Sequence, residues 1–303
     1  MKLKNLGKLF KITFKEWNAK DPFRQSAVIA YYAIFSIPGL LVLIVSITGY
    51  FFGKEAVNQN IMNQISSTMG TDTATQIQEM LTKAGESKTT VWGSIMGILV
   101  LLVGATGVFV ELQKTLNTIW QVKVAPQEGI LPILKARLFS FGLILAIAFL
   151  LIISLVVSTG LAAMSELVKG NTSELTILIF NVLNFVVSLA VISLLFAAIF
   201  KILPDATIEW RHVWLGSLVT GLLFTIGKTA LAFYFSQAEP ASVYGAAGSV
   251  ILILLWVSYS SMILFFGAEF TAAYTKMYAG DVSPSNIAKP ITTTQKRLNN
   301  PKI

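Results

Sequence analysis

The chain has 303 residues, 54% of them hydrophobic, only 13% charged and none of them cysteine. A soluble protein carries about a quarter of its residues as Asp, Glu, Lys or Arg, so this composition excludes an ordinary water-soluble globule, and the lack of cysteine excludes disulfides and thiolate chemistry. A formal charge of +8 invites a nucleic-acid reading, which the placement of the basic residues argues against.

The apolar residues come in blocks rather than short periodic runs. Five charge-free windows are Gln25–Gly53, Thr89–Val110, Leu138–Ser165, Leu175–Phe200 and Pro240–Ala268, and a sixth block, Val213–Phe235, contains one charge, Lys228. Each supplies the ~20 residues that cross ~30 Å of hydrocarbon at ~1.5 Å per residue. The expected fold class is all-α: a polytopic membrane protein with six transmembrane helices over about 25–53, 89–110, 138–165, 175–200, 213–235 and 244–268. Eighteen Lys and Arg residues fall in the segment before the first span, the alternate loops and the tail, against four in the intervening loops. By the positive-inside rule both termini are cytoplasmic. The basicity is a topology signal, with attraction to anionic lipid as a secondary consequence. No nucleic-acid partner is expected, nor a cleavable signal peptide, because the first apolar block starts late, is long and lacks a small-residue cleavage site.

Residues 1–20 read as a cytoplasmic amphipathic helix lying on the membrane, with Leu3, Leu6, Phe10, Phe14 and Trp17 at helical spacing among lysines. Asp21-Pro22 restarts a helix, with Asp as N-cap and Pro at the first helical position. Pro38 removes a backbone hydrogen bond inside the first span and is expected to kink it. The outer loop 54–88 carries two apolar stripes, Val57-Ile61-Ile65 and Ile77-Met80-Leu81-Ala84, and reads as a short helical hairpin resting on the outer membrane face. The second span has Gly93, Gly97, Gly104, Gly107 and Glu111 on one face, a spacing that permits close helix approach. Asn181, Asn184 and Ser188 form a polar stripe in the fourth span. The 21–280 transmembrane domain gives way at 281–303 to a Pro-, Asn- and Thr-containing basic tail expected to be disordered.

Catalytic chemistry is not indicated. The single histidine, His212, lies beside Trp210 and Arg211 at a span end and has no second histidine for a metal site or relay. No G-x-x-x-x-G-K-[ST] loop is present. No cofactor or metal is expected, and the chain is read as not an enzyme. Lys228 is the residue on which a functional reading turns. It lies seven residues, ~10 Å, from the outer end of its span. Either its side chain snorkels to the outer headgroups, or it faces a cavity. Ser217, Gly221, Thr225, Lys228 and Ala232 share one small and polar face that favours a helix interface or cavity over lipid. Ser46, Ser158, Asn181 and Asn184 lie at comparable depth, so Lys228, Asn181, Asn184, Ser158, Ser46 and Thr225 form a candidate binding layer for an anionic or amphiphilic substrate.

Several motifs resemble the YihY/virulence factor BrkB family. They are Ala30-Tyr31-Tyr32-Ala33-Ile34-Phe35-Ser36-Ile37-Pro38, Leu116-Asn117-Thr118-Ile119-Trp120, Leu203-Pro204 before Trp210-Arg211, Tyr244-Gly245-Ala246, Leu255-Trp256 and Phe266-Gly267-Ala268-Glu269-Phe270. They run in order to about residue 280. The resemblance implies an integral membrane protein with six spans and cytoplasmic termini, in some members suspected of moving lipid-like molecules. The family once carried the label ribonuclease BN, now regarded as an error, and this sequence lacks the metal-ligand cluster or acid/base pair that RNA cleavage needs. The family markers here are Tyr31, Tyr32, Ser36, Pro38, Asn117, Trp120, Pro204, Trp210, Arg211, Tyr244, Gly245, Trp256, Gly267 and Glu269. The expected location is the bacterial plasma (inner) membrane, among membrane lipids. The leading reading is a transporter- or flippase-like permease that is not ATP-driven by itself. The alternative is a scaffold or envelope-assembly factor, and a homo-oligomer or an envelope-protein partner is left open.

Overall fold

A computed structural model describes residues 3–52, 54–69, 71, 74–75, 77–79, 82, 91–124, 174–238, 248–280, 282–285 and 288–290. Among them the chain is mostly helical. The helices are α1 (Leu3–Ala19), α2 (Pro22–Phe52), α3 (Lys54–Met69), α4 (Val91–Ile119), α5 (Glu174–Ile202), α6 (Trp210–Ala238) and α7 (Gly248–Tyr278). Four short strands accompany them: β1 (Val122–Val124), β2 (Ala206–Thr207), β3 (Ser283–Pro284) and β4 (Ala288–Pro290). Within α5, α6 and α7, the stretches Val182–Ile202, Trp210–Phe235 and Val250–Tyr278 are long and apolar enough to cross a membrane. The expected third span, 138–165, and residues 291–303 lie outside the described residues.

On α6 the two faces divide by environment. Val213, Gly216, Ser217, Thr220, Gly221 and Gly227 are buried, while Trp214, Leu218, Leu222, Ile226 and Phe233 are exposed, the last two at 67% each. A soluble helix points its charges outward and its apolar residues inward. Here the exposed stripe is apolar and the buried one small and polar, the pattern of a helix whose outer face meets hydrocarbon. On α5, likewise, Leu178, Ile179, Val182, Leu183, Phe185 and Val186 are all exposed.

The chain divides into two compact units, residues 1–16, 113–223 and 266–303 in one, 17–112 and 224–265 in the other. In the first, α6 and α7 cross through two reciprocal glycine–threonine contacts. A Cβ at Gly216 would lie 1.8 Å from Thr271 Oγ1, and one at Gly267 would lie 1.9 Å from Thr220 Oγ1. Rising number on one helix meets falling number on the other, so the helices are antiparallel. Each threonine hydroxyl donates to the carbonyl four residues earlier, Thr220 to Gly216 at 2.6 Å and Thr271 to Gly267 at 2.7 Å. Each hydroxyl is thereby satisfied within its own helix while its bulk fills the space opened by the partner's glycine. Gly221 repeats the device against α5, where its Cβ would meet Ser193 Oγ at 2.6 Å.

The first unit also departs from the expected ends. Helix α4 runs nine residues past Val110, and α7 ten past Ala268, each beyond the charge that closes its charge-free window, Glu111 and Glu269. Within 281–303, expected to be disordered, β3 pairs antiparallel with β2 and β4 with β1. The β1–β4 register sets Lys123 opposite Lys289. Helix α1 buries Leu9 and Thr13 completely. Phe14 is exposed, and Phe10 lies against Phe266 and Phe270 of α7, ring centroids 6.4 and 5.2 Å apart.

In the second unit, α2 starts at Pro22, as expected, after Asp21 in the left-handed region (φ 52°), which short polar side chains tolerate. It runs unbroken through Pro38 to Phe52. Gly104 and Gly107 of α4 face α2, where added Cβ atoms would strike Ser36 and the Tyr32 ring, so this part of the glycine face allows close approach as its spacing implied. Helix α3 packs against other elements of this unit. Its Met62 joins Ala74, Ile77 and Ile253 of α7 in a buried cluster, against which Ile37, Ile61, Ile65, Trp256 and Val257 pack. Ile37 is the central residue of α2, so the cluster that Met62 joins reaches the middle of that helix.

Candidate functional site

Among the described residues, the most tightly organised polar group lies in the first unit, where α4 ends and the α5–α6 turn begins. Leu203 and Pro204 are buried and end α5, which brings Asp205 against the last turn of α4. Asn117 Nδ2 donates to Asp205 Oδ2 at 2.8 Å, Gln113 Nε2 donates to the same oxygen at 3.2 Å, and Asp205 N donates to Asn117 Oδ1 at 2.8 Å. Gln113 and Asn117 stand one turn apart on α4, so both reach one carboxylate. The Lys201 ammonium donates to the Ile208 carbonyl and closes the turn from the other side. Ser285 N donates to Asp205 O at 3.0 Å, tying the segment of β3 to the same residue. Asp205 therefore joins α4, the α5–α6 turn and the C-terminal strands. This is a positioning arrangement; it holds no nucleophile paired with a base.

Asn117 and Trp120, two of the family markers, are both 7% exposed, and the Trp120 indole N–H has no hydrogen-bond partner. Gln121 follows at φ 57°, turning the chain from α4 into β1. Gly267 is the α6–α7 contact described above, and Glu269 is buried beside it at 3%. Trp210 and Arg211 are exposed, Arg211 Nε lying 2.9 Å from Glu209 Oε2. His212, beside them at the span end, is buried, its ring 6.2 Å from that of Tyr274. In the second unit Tyr31 is exposed and meets the Tyr32 and Phe35 rings edge-on. Ser36 donates to Ala33 O at 3.1 Å. Trp256 lies edge-on to Phe224, centroids 6.0 Å apart, and against the α3 cluster. Tyr244 and Gly245 lie outside the described residues, as does the side chain of Pro38.

Of the candidate binding layer, Lys228 and Thr225 stand one turn apart on α6, both half-buried, and belong to the second unit. Lys228 follows Gly227, which packs against Tyr259. Asn184 is exposed on α5 in the first unit, and Asn181 lies on the same helix. The side chains of Asn181 and Ser46, and the whole of Ser158, fall outside the described residues. Asp205 and Gln113 were missed by the sequence reading. The available signal was Pro204, whose fixed geometry ends α5 and presents the next residue to α4.

The virulence factor BrkB family model matches residues 13–292. The chain belongs to the BrkB family. It is 27% identical over 267 residues to a UPF0761 membrane protein of Saccharophagus degradans, covering 88% of this chain and 59% of the relative. A UPF0761 membrane protein of Verminephrobacter eiseniae is 29% identical over 195 residues, 64% of this chain and 45% of the relative. One from Alteromonas mediterranea is 27% identical over 272 residues, with 88% of each chain covered. The chain thus spans about half the length of the first two relatives and most of the third. No solved structure matches it. Family membership and the apolar helices together make this BrkB protein a membrane protein.

Proposed function

We propose that this chain is a six-span protein of the bacterial plasma (inner) membrane, with both termini cytoplasmic. In this reading it acts as a permease or flippase-like carrier for an amphiphilic or anionic, lipid-like molecule. It is not an enzyme and does not itself consume ATP. The observation that carries the reading is the half-buried Lys228 on a helix whose other side exposes Ile226 and Phe233 at 67% each. A lysine at the lipid face of this helix would share that exposure; a half-buried lysine one turn from Thr225 suits an anionic headgroup in a polar passage. The excess of Lys and Arg on one set of loops supports the orientation.

The test is reconstitution into liposomes containing fluorescent lipids, with leaflet exposure measured over time. Transport that is lost in Lys228→Met and inverted in charge preference by Lys228→Glu supports the passage. Unchanged transport in both variants assigns the lysine to snorkelling. A second reading, a scaffold or envelope-assembly factor, is favoured by the firm packing of the first unit and its paired C-terminal strands. It gains if no lipid tested moves while a partner is retained through the termini.

A further inference from the structure

The α3 hairpin carries an asymmetry that an outer cover would not need. Its apolar side is committed: Met62, Ala74 and Ile77 are buried with Ile253, and Ile37, Ile61, Ile65, Trp256 and Val257 pack around them. Ile37 lies 15 residues before the end of α2, ~22 Å back along its axis. Helix α3 starts immediately beyond that end, and its Met62 shares with Ile37 one buried cluster, which requires α3 to fold back toward α2. The other side of α3 is polar and open. Glu55, Gln59 and Asn63, at successive i, i+4 positions, are all exposed. Gln59 and Asn63 lie ~8 and ~14 Å along α3 from Lys54, at levels where α2, in the six-span reading proposed above, is still membrane span. Bare side-chain amides in hydrocarbon forfeit their hydrogen bonds at substantial cost, and polar segments at membrane depth occur where they line water or are buried in protein. Beside this face, Asn58 Oδ1 is shielded from solvent and has no hydrogen-bond donor.

We infer that the α3 hairpin is a re-entrant element whose Glu55–Gln59–Asn63 face lines a water-filled opening reaching the middle of α2, and that this wall receives the hydroxyl-rich headgroup of a lipid. The amides of Gln59 and Asn63 both donate and accept, Glu55 and Asn58 Oδ1 accept, and among the described side chains no cation stands on the face. That set pairs with hydroxyl groups, which offer donors and acceptors together, rather than with a bare phosphate. The headgroup assignment rests on the transport reading above; the re-entrant geometry does not.

The chain has no cysteine, so single and paired cysteines report cleanly. In proteoliposomes of the full chain, Gln59→Cys and Asn63→Cys react with a membrane-impermeant maleimide, while Ile226→Cys on the exposed apolar stripe does not. Ile37→Cys combined with Ile61→Cys, or with Ile65→Cys, is joined by a short bis-maleimide. All three isoleucines are only half-buried, so the replacements are tolerated. Labelling without cross-linking means a hairpin lying on the outer surface and overturns the re-entrant geometry; cross-linking without labelling means a dry face and overturns the opening. Adding a glucosyl-diacylglycerol to phosphatidylcholine vesicles slows labelling of Asn63→Cys several-fold, whereas phosphatidic acid does not. Equal rates in both overturn the headgroup assignment. If labelling and cross-linking succeed while no lipid crosses the bilayer, the permease reading fails and the re-entrant hairpin stands.

Discussion

Exchanging the two ends of the Asn117–Asp205 pair gives a sharp prediction, because the two residues make a two-way contact. The Asn117 amide gives a proton to the carboxylate at 2.8 Å and accepts one from the Asp205 backbone at the same distance. Asp205→Asn replaces a charge-assisted bond, worth about 1.5–3 kcal/mol, by a neutral one of about 0.5–1.5. It should cost roughly 1 kcal/mol. Asn117→Asp is worse, since it sets two carboxylates face to face. Two like charges 4 Å apart repel by about 4 kcal/mol at an effective dielectric of about 20. Combined, the two changes restore complementarity. The new carboxylate at 117 still accepts from the backbone N–H of 205, and its other oxygen accepts from the new amide at 205. The double variant should therefore lie within about 1 kcal/mol of the parent, far from the sum of its singles. Denaturant unfolding in nanodiscs, followed by tryptophan fluorescence with Trp120 one turn away, measures each stability. Protease resistance of the β3–β4 segment, tied to Asp205 O through Ser285 N, should follow the same order. Additive losses would refute the reciprocal geometry.

The remaining predictions concern packing and charge. Gly267→Ala forces a methyl into Thr220 Oγ1, 1.9 Å from its ideal position, and should cost about 1–3 kcal/mol as overpacking. Adding Thr220→Ala should recover a good part of that loss in the same unfolding assay, whereas independent sites would simply add. Across β1–β4, Lys123 faces Lys289 and both are exposed, a like-charge pairing that weakens a ladder. Hydrogen-exchange protection of Ala288–Pro290 should rise with added salt in the parent, and fall with salt in Lys289→Glu, where screening now removes an attraction.

How much of this was legible in the sequence depended on contrast against background. Long apolar windows stand out, and α2, α5 and α6 begin and end within three residues of them. Hydropathy cannot follow a helix into polar sequence, so the continuation of α4 through Glu111, Gln113 and Lys114 left no trace, and a window that stops at the first charge, Glu269, cuts α7 short of Tyr278. The strands β1–β4 are two or three residues each, too short for an alternation to appear. Their pairing spans more than 70 residues of chain in one case and 160 in the other, a relation that only the fold creates. For the hairpin, the apolar stripe of Ile61 and Ile65 was visible, but periodicity specifies which face is buried and not what it is buried against. A stripe that packs on a buried cluster with Ile253 of α7 reads the same as one that rests on headgroups.

The site residues divide by the same logic, and the division bears on which of them to trust. Lys228 was conspicuous because it is one charge among apolar neighbours, and a free-energy cost paid in plain view asks for a function. Asp205 is one polar residue in a polar turn, so nothing in its neighbourhood marks it. Yet in the structure Asp205 accepts two side-chain bonds, and its backbone makes two more. Lys228 is half-buried with its role resting on depth and exposure. The anomaly and the organising residue are thus different residues, and they answer different questions. Losing the Asp205 contacts should loosen the α4 end, the α5–α6 turn and the C-terminal strands together, changing stability whatever passes through the membrane. Losing the Lys228 charge should leave that assembly intact and alter only what is carried. A variant pair that separates these outcomes, Asp205→Ala lowering stability and Lys228→Met lowering transport at unchanged stability, distinguishes a scaffold that positions from a passage that recognises. If Lys228→Met instead unfolds the protein, its ammonium holds helices together, and the charge in the sixth apolar block is structural.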